Sequence, residues 1–313
     1  DGSLVSTKFT GAAVFVNKKL FGTGVRLLGC VAQAVEKLGS KGGVAVALKV
    51  MHSTICFVTC HLEAKHNEVR RAQYKELVSQ LGSQLGENGF DLTAQFSHVV
   101  WTGDLNYRCV KTNGTPMPAE EVVVLLQNGE NRTLFEHHDQ LNQERRGGHV
   151  FYQFDEPIPC PDFFPTYKKF ENRGSTDYTL DWVRQVYRIR YKEPMYKGGN
   201  VKERTPGYCD RILYRPMADH RDRGTLRPEV LDAEYEFMLE GRAGAEVSEP
   251  FMDNFHNYRA VNDGEGMSVS DHSPVYATFT LSTAPVIVGK RMALKRMSSQ
   301  GSRRSSSFER SNS

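Results

Sequence analysis

The sequence predicts an α/β protein built of mixed sheets packed together, with helices outside. Three observations carry that reading. Short apolar runs rich in β-branched residues recur at strand length, and longer stretches carry helical spacing. The gaps between the strand-like runs are of both hairpin and helix length, which calls for antiparallel and parallel pairings together. The chain has 313 residues, enough for one large α/β domain or two small ones.

In chain order the expected strands are Ala12 to Val16, Val44 to Val50, Thr54 to Cys60, His98 to Trp101, Arg211 to Tyr214 and Val275 to Leu281. Helical patterns fit Val31 to Leu38, Glu68 to Leu85 and Ala119 to Gln127. In the second of these, Ala72, Leu77, Leu81 and Leu85 suit one buried face. Pro118 stands at the start of the third, where its missing N–H costs little. From Arg215 to Asn254 the composition shifts to Arg, Asp, Glu and Gly, which reads as a surface insertion with a helix near Glu234 to Leu239. From Lys290 the chain is basic and serine-rich and cannot bury a core, so a disordered tail is expected over 290–313 behind a domain spanning 1–289.

Charge narrows the functional classes. The net charge is +3, yet from Lys290 onward seven Lys or Arg stand against Glu309 alone, so the body carries −3. An acidic body disfavours a general nucleic-acid binder, and any anion site in it must be a local cluster. No run of 18 apolar residues occurs, and the first residues lack a signal-peptide pattern. The six cysteines form no CxxC pair, which points to reduced thiols and a cytoplasmic setting, with Cys56 and Cys60 buried.

Four separated blocks carry chemistry when taken together. They are TCHL (Thr59 to Leu62), WTGDLNYR (Trp101 to Arg108), PGYCDRIL (Pro206 to Leu213) and SDHSP (Ser270 to Pro274). Singly each is ordinary: a Gly-Asp pair is usually a turn, Asp210 beside Arg211 an ion pair, and a lone histidine structural. Together they supply what water needs to attack a phosphate ester. Asp104 can take a proton from water, and Asn106 can donate to a phosphoryl oxygen. Asp210 can fix the tautomer of His272 and support its charge, while Asp271 points elsewhere and could hold a metal. His61 ends an apolar run at a strand end. A fifth block, FPTYKK (Phe164 to Lys169), adds with Lys202 and Arg204 a compact set of phosphate donors.

These blocks, in this order, resemble the inositol polyphosphate 5-phosphatase family, together with LGSKGG (Leu38 to Gly43) and HDQLNQER (His138 to Arg145). The resemblance runs from about Phe9 to Leu281, interrupted by the insertion. It implies a four-layer α/β sandwich of two mixed β-sheets flanked by helices, and magnesium-dependent hydrolysis of the 5-phosphate of phosphoinositides or soluble inositol polyphosphates. By that resemblance Asp104 activates the attacking water. Asn106 and His61 hold the scissile phosphate, and Asp210 orients His272. Asp271 sits near Mg2+. Tyr167, Lys168, Lys202 and Arg204 grip a 4-phosphate, Lys41 reaches a 1-phosphate, and Arg108 joins the substrate-binding set. A peripheral place at membranes, with transient contact to their surface, follows from a lipid substrate.

Three departures shape further expectations. Tyr208 stands where the family carries tryptophan and Gly207 where alanine or serine is common, which predicts modest loosening. Ser40 replaces an asparagine before Lys41. Family domains begin with strands bearing a Trp-Asn and a Gln-Glu motif, the Glu being the chief magnesium ligand, and nothing before Phe9 supplies them. The expectation is a catalytic domain lacking its front, poorly active alone. A same-fold endonuclease and an inactive phosphoinositide-binding module are the competing readings. RRSSS at Arg303 to Ser307 resembles a site for a basic-directed kinase, whose phosphate would weaken attraction to an anionic leaflet.

Overall fold

The computed structural model describes residues 10–36, 41–51, 53–86, 89–158, 160–161, 163–171, 182–216, 226–228, 258–261 and 269–281. Its centre is a five-stranded mixed sheet. β1 (Val25–Ala34), β2 (Gly42–Val50) and β3 (Ser53–His61) form an antiparallel meander. The 19-residue helix α1 (Asn67–Leu85) then carries the chain to β4 (His98–Asp104), parallel to β3. The connection is long because parallel neighbours need a crossover. Two short strands, β5 (Arg190–Lys192) and β6 (Val201–Glu203), pair as a separate hairpin before β7 (Asp210–Pro216) closes the sheet antiparallel to β4. Leu226–Pro228 (β8), Tyr258–Ala260 (β9), Val275–Ala277 (β10) and Phe279–Leu281 (β11) form two ribbons, β8 with β11 and β9 with β10.

Both faces of the central sheet are covered, and the period of two along each strand sorts the side chains between them. Cys56, Val58 and Cys60 of β3, Val99 and Trp101 of β4 and Leu213 of β7 meet Tyr74, Leu77, Val78 and Leu81 of α1, with Phe151 and Phe154. Ile55, Val100 and Ile212 face the other way, against Val122, Val123 and Leu126 of the helix Ala119–Gln127 and Trp182, Val183 and Tyr258. Trp101 and Leu213 are fully buried, and the Trp101 ring meets Phe151 edge-on at 5.4 Å. Burying side chains of this size contributes about 1.5–3 kcal/mol each.

The strands expected at β2, β3, β4 and β7 and the helices at 68–85 and 119–127 stand within a few residues of their expected bounds. Four expectations are corrected. The helix expected over Val31 to Leu38 does not form among its described residues, 31–36: Val31–Ala34 continue β1, pairing residue by residue with Ala45–Gly42 of β2. A VAQAV run satisfies either period, and the available partner strand decides between them. Ala12 to Val16 is no strand. β1 takes the place beside β2, and Phe15 stands 92% exposed. On α1 Ala72 is exposed, and the buried face runs through Arg70, Gln73, Tyr74, Leu77, Val78 and Leu81. Val275 to Leu281 is two strands broken at Thr278, each with a different partner. Of the expected insertion only its first two residues and β8 lie among the described residues. The helix at 234–239, the tail and Ser40 lie outside them. No helix among the described residues is long and apolar enough to cross a membrane.

Candidate active site

One rung across the sheet builds the centre of the site. The registers place Gly42 opposite His61, His61 opposite Asp104, and Asp104 opposite Asp210. Three chemically active residues thus sit side by side at one rim, at the ends of β3 and β4 and the start of β7. Adjacent strands lie about 4.8 Å apart, so side chains on one rung can touch. Gly103 makes the rung possible. It adopts φ +131°, and a Cβ there would fall 2.0 Å from the Cys60 carbonyl oxygen. The glycine of the Gly-Asp pair therefore serves close approach of β3 to β4 rather than a turn.

Asp104 is held on several sides. The Asn106 backbone N–H donates to its Oδ1 at 3.0 Å, and Asn106 Nδ2 donates to its Oδ2 at 3.1 Å and to the Leu62 carbonyl at 3.0 Å. Asn106 reaches back because it adopts φ 57°, a left-handed turn that asparagine tolerates. Its own Oδ1 accepts from Arg108 Nη2 at 2.7 Å. His61 Nε2 lies 3.3 Å from Asp104 Oδ2 and in hydrogen-bond contact with Lys41 Nζ.

His272 closes the rim from a distant loop. Its Nδ1 pairs with Asp210 Oδ2 at 2.9 Å, leaving Nε2 4.0 Å from Asp104 Oδ2. Thr166 locks Asp210 twice: its hydroxyl donates to Oδ2 at 2.6 Å and accepts from the Asp210 N–H at 3.2 Å. Asp210 and Arg211 do not form the ordinary surface pair. Successive residues of a strand face opposite ways. Arg211 turns into the core, fully buried, with Nη1 2.9 Å from Asp139 and Nε 2.5 Å from Glu156. Asp210 is left to the imidazole.

Electrostatics follow from this crowding. Burial, and then the charge of Asp210, raise the Asp104 carboxyl to about 6, against the pull of His272, Arg108 and Lys41. Burial alone would lower His272, but its hydrogen bond to Asp210 and the charges of Asp210 and Asp104 outweigh that and raise it. Burial lowers Lys41 despite Asp104 nearby. Asp104, Asp210 and His272 offer ligand atoms all within 4.8 Å of one another. Two carboxylates this close repel, and a hard divalent cation is suited to such oxygens.

A cationic arm adjoins the rim. The buried Tyr167 ring lies between Arg108, 4.0 Å away, and the His272 ring, 4.6 Å away. Lys168 is ion-paired with Asp271, and the pairing outweighs burial and lowers the Asp271 carboxyl. Arg204 Nη2 donates to the Tyr191 hydroxyl at 3.0 Å. Lys168 Nζ lies 5.9 Å from the Tyr191 ring centroid, and the Arg188 guanidinium lies at the same distance. Lys202 Nζ is 3.7 Å from Glu193 within the hairpin. The structure therefore joins His61, Asp104, Asn106, Arg108, Asp210, His272, Lys41 and Tyr167 in one contact network. It places Lys168 and Arg204 beside it through Tyr191, and Lys202 on the hairpin. Thr166, Arg188 and Tyr191 escaped sequence reasoning. Thr166 lay inside the FPTYKK block and could have been found there, whereas no motif marks Arg188 or Tyr191. Tyr208 is fully buried, edge-on to Phe135 at 5.0 Å, with its hydroxyl donating to the Asn131 carbonyl at 3.2 Å.

Two carboxylates, an amide and two imidazoles on one rim, with a cationic arm beside them, are the equipment of a hydrolase acting on an anionic ester. The model of endonuclease/exonuclease/phosphatase family 2 matches residues 5–278, and the chain belongs to this family. It is 29% identical over 260 residues to phosphatidylinositol 3,4,5-trisphosphate 5-phosphatase 2A of Danio rerio, covering 81% of this chain and 16% of that protein. It is 33% identical over 192 residues to type I inositol polyphosphate 5-phosphatase 5 of Arabidopsis thaliana, covering 57% of this chain and 31% of that one. The chain thus spans a minor part of these relatives. Among solved structures it is similar to the inositol polyphosphate 5-phosphatase domain of synaptojanin, in complex with inositol (1,4)-bisphosphate and calcium. The TM-score is 0.54 at 26% identity, over 88% of this chain and 61% of that one. A Cimex nitrophorin ferrous NO complex, at 17% identity and TM-score 0.51, shares the fold alone, over 85% of this chain and 68% of that one.

Proposed function

We propose that this chain catalyses magnesium-dependent hydrolysis of the 5-phosphate of phosphoinositides or soluble inositol polyphosphates, working at the cytoplasmic surface of membranes where the substrate is lipid. The observation that carries the reading is the rung His61–Asp104–Asp210 with His272 paired to Asp210 at its end. Asp104 takes the proton of the attacking water, because its carboxyl, raised to about 6, is both largely ionised at neutral pH and basic enough to accept it. Asn106 and His61 are placed to hold the scissile phosphate. Asp210 favours the charged form of His272 and aims its Nε2 at the centre, where an imidazolium would face negative charge as it develops. Asp104 and Asp210 are the residues that would hold the cation. When bound, it supplies neutralisation of the phosphoryl oxygens.

The substrate class is supported by the arm: Lys168 and Arg204, with Arg188, gather about Tyr191 and offer donors for a second phosphate on the same ring. Names of relatives at 29% and 33% identity point the same way. A DNA endonuclease of the same fold has no use for this arm. The test is phosphate release from phosphatidylinositol 4,5-bisphosphate vesicles and from inositol 1,4,5-trisphosphate, with magnesium and with chelator, beside Asp104→Ala. Magnesium-dependent release that the substitution abolishes is expected. Release from neither substrate, with vesicle binding intact, would instead support a non-catalytic phosphoinositide-binding module.

A further inference from the structure

The turn of the hairpin β5–β6 takes no part in the site described above, and its surface is unusual. At its turn Met195 is 80% and Tyr196 83% exposed, and Val201, the first residue of β6, is 68% exposed. Large apolar side chains this open are hydrated at a cost, and a cluster of them marks a surface that meets another apolar phase. The turn is sharp and built in. Met195–Lys197 form a 3-10 turn closed by Gly198 and Gly199 in the left-handed region, and the Gly198 N–H donates to the Met195 carbonyl at 3.0 Å.

The charge around this tip is mainly positive. From Arg188 to Arg204 the sequence carries six Lys or Arg against Glu193 and Glu203. Glu193 is engaged by Lys202, and Glu203 accepts from the Ala119 backbone N–H at 2.5 Å. The hairpin's root is tied to the site. The Arg188 N–H donates to the Lys168 carbonyl at 3.0 Å, the Arg204 N–H donates to the Ile189 carbonyl at 2.7 Å, and Arg204 bonds Tyr191. Val269, two residues before the Asp271 that pairs with Lys168, is 64% exposed as well. An apolar tip, a basic collar and a root among the head-group donors form a sequence that fits an anionic bilayer surface, with side chains in the acyl boundary and cations at the head groups.

We propose that the β5–β6 hairpin is a membrane-docking element. Met195, Tyr196 and Val201 enter the interface of an anionic bilayer, Lys192 and its basic neighbours meet the lipid phosphates, and the site is thereby held over the leaflet. The proposal rests on the reading of the site as acting on a phosphoinositide head group. A lipid partner, rather than a protein, is indicated by the shortness of the turn that carries the exposed side chains and by the excess of Lys and Arg over Glu around it.

The test uses the whole chain and vesicles that contain no phosphoinositide, so that docking is read apart from catalysis. The lipid is phosphatidylcholine with about 30% phosphatidylserine, enough to give a negative surface potential. The double variant Met195→Ser/Tyr196→Ser is expected to lose about tenfold in vesicle partitioning, the scale of withdrawing two side chains from the interface. Its turnover of soluble inositol trisphosphate and its melting temperature stay those of the parent. Lys192→Gln is expected to lose about threefold in partitioning, with the loss vanishing at high salt. Partitioning of the double variant equal to the parent's overturns the proposal, as does equal partitioning of the parent onto phosphatidylcholine alone. Vesicle binding by a parent that hydrolyses neither substrate would leave the docking element standing and remove the enzymatic reading. Hydrolysis of the soluble substrate without vesicle binding would do the reverse.

Discussion

The rim and the arm of the site are built by different means. The rim is set by backbone: His61, Asp104 and Asp210 are neighbours because three strands share a register, and ladder hydrogen bonds fix that register along seven residues of β4. The arm is set by side chains: Lys168, Arg188 and Arg204 gather about the Tyr191 ring at 5.0 to 5.9 Å, on a hairpin of two three-residue strands. A register tolerates little displacement, which suits groups that move a proton. A ring of flexible cations tolerates more, which suits the gripping of a remote phosphate whose loss weakens binding rather than chemistry.

That contrast predicts a graded series. Asp104→Asn keeps shape and hydrogen bonds but cannot take a proton, so kcat falls by about 10³-fold or more with KM little changed, as steady-state kinetics on inositol trisphosphate would register. Asp210→Asn is expected to lower kcat by about 10²-fold. It also moves the pH profile. In the proposed mechanism Asp104 acts ionised and His272 protonated, so kcat/KM is expected to rise as Asp104 ionises and to fall on an alkaline limb above the ordinary histidine range. Without the Asp210 charge that limb retreats to lower pH, and an unshifted limb would remove His272 from the mechanism. Arg204→Lys loses the planar fork but not the charge, and about a tenfold rise in KM with kcat kept is expected. Lys202→Ala should matter least. Its pairing with Glu193 is long, at 3.7 Å, with the lysine side chain half-exposed, and is worth about 0–1 kcal/mol, so a change of about threefold or less in KM is expected.

Legibility in the sequence divides along the same line. β2, β3, β4 and β7 were readable because each buries alternate residues on two covered faces, so β-branched runs mark them. The rim was readable because strand ends carry its acids and imidazoles in recognisable blocks. β1 was misread as helix because Val31 and Val35 satisfy the helical period as well as the strand's, and only pairing with β2 decides. The α1 face was placed off centre because Arg70 and Gln73 are buried by polar contacts. Arg70 donates to Gln140 at 2.6 Å and to the Glu63 carbonyl at 3.1 Å, which apolar periodicity cannot see. Arg188 and Tyr191 carry no motif because their places beside the site arise from tertiary contact alone, whereas Thr166 lies within the FPTYKK block. Asp271 was read as a metal neighbour, and in the structure its carboxylate is paired with Lys168.

The most direct measurement compares Asp104→Asn and Arg204→Lys side by side, by initial rates of phosphate release from inositol 1,4,5-trisphosphate with magnesium. The account predicts that the first loses kcat and the second raises KM, each leaving the other parameter near the parent's. Loss of kcat in both to the same degree, or an active Asp104→Asn, would contradict the division of the site into a reacting rim and a gripping arm.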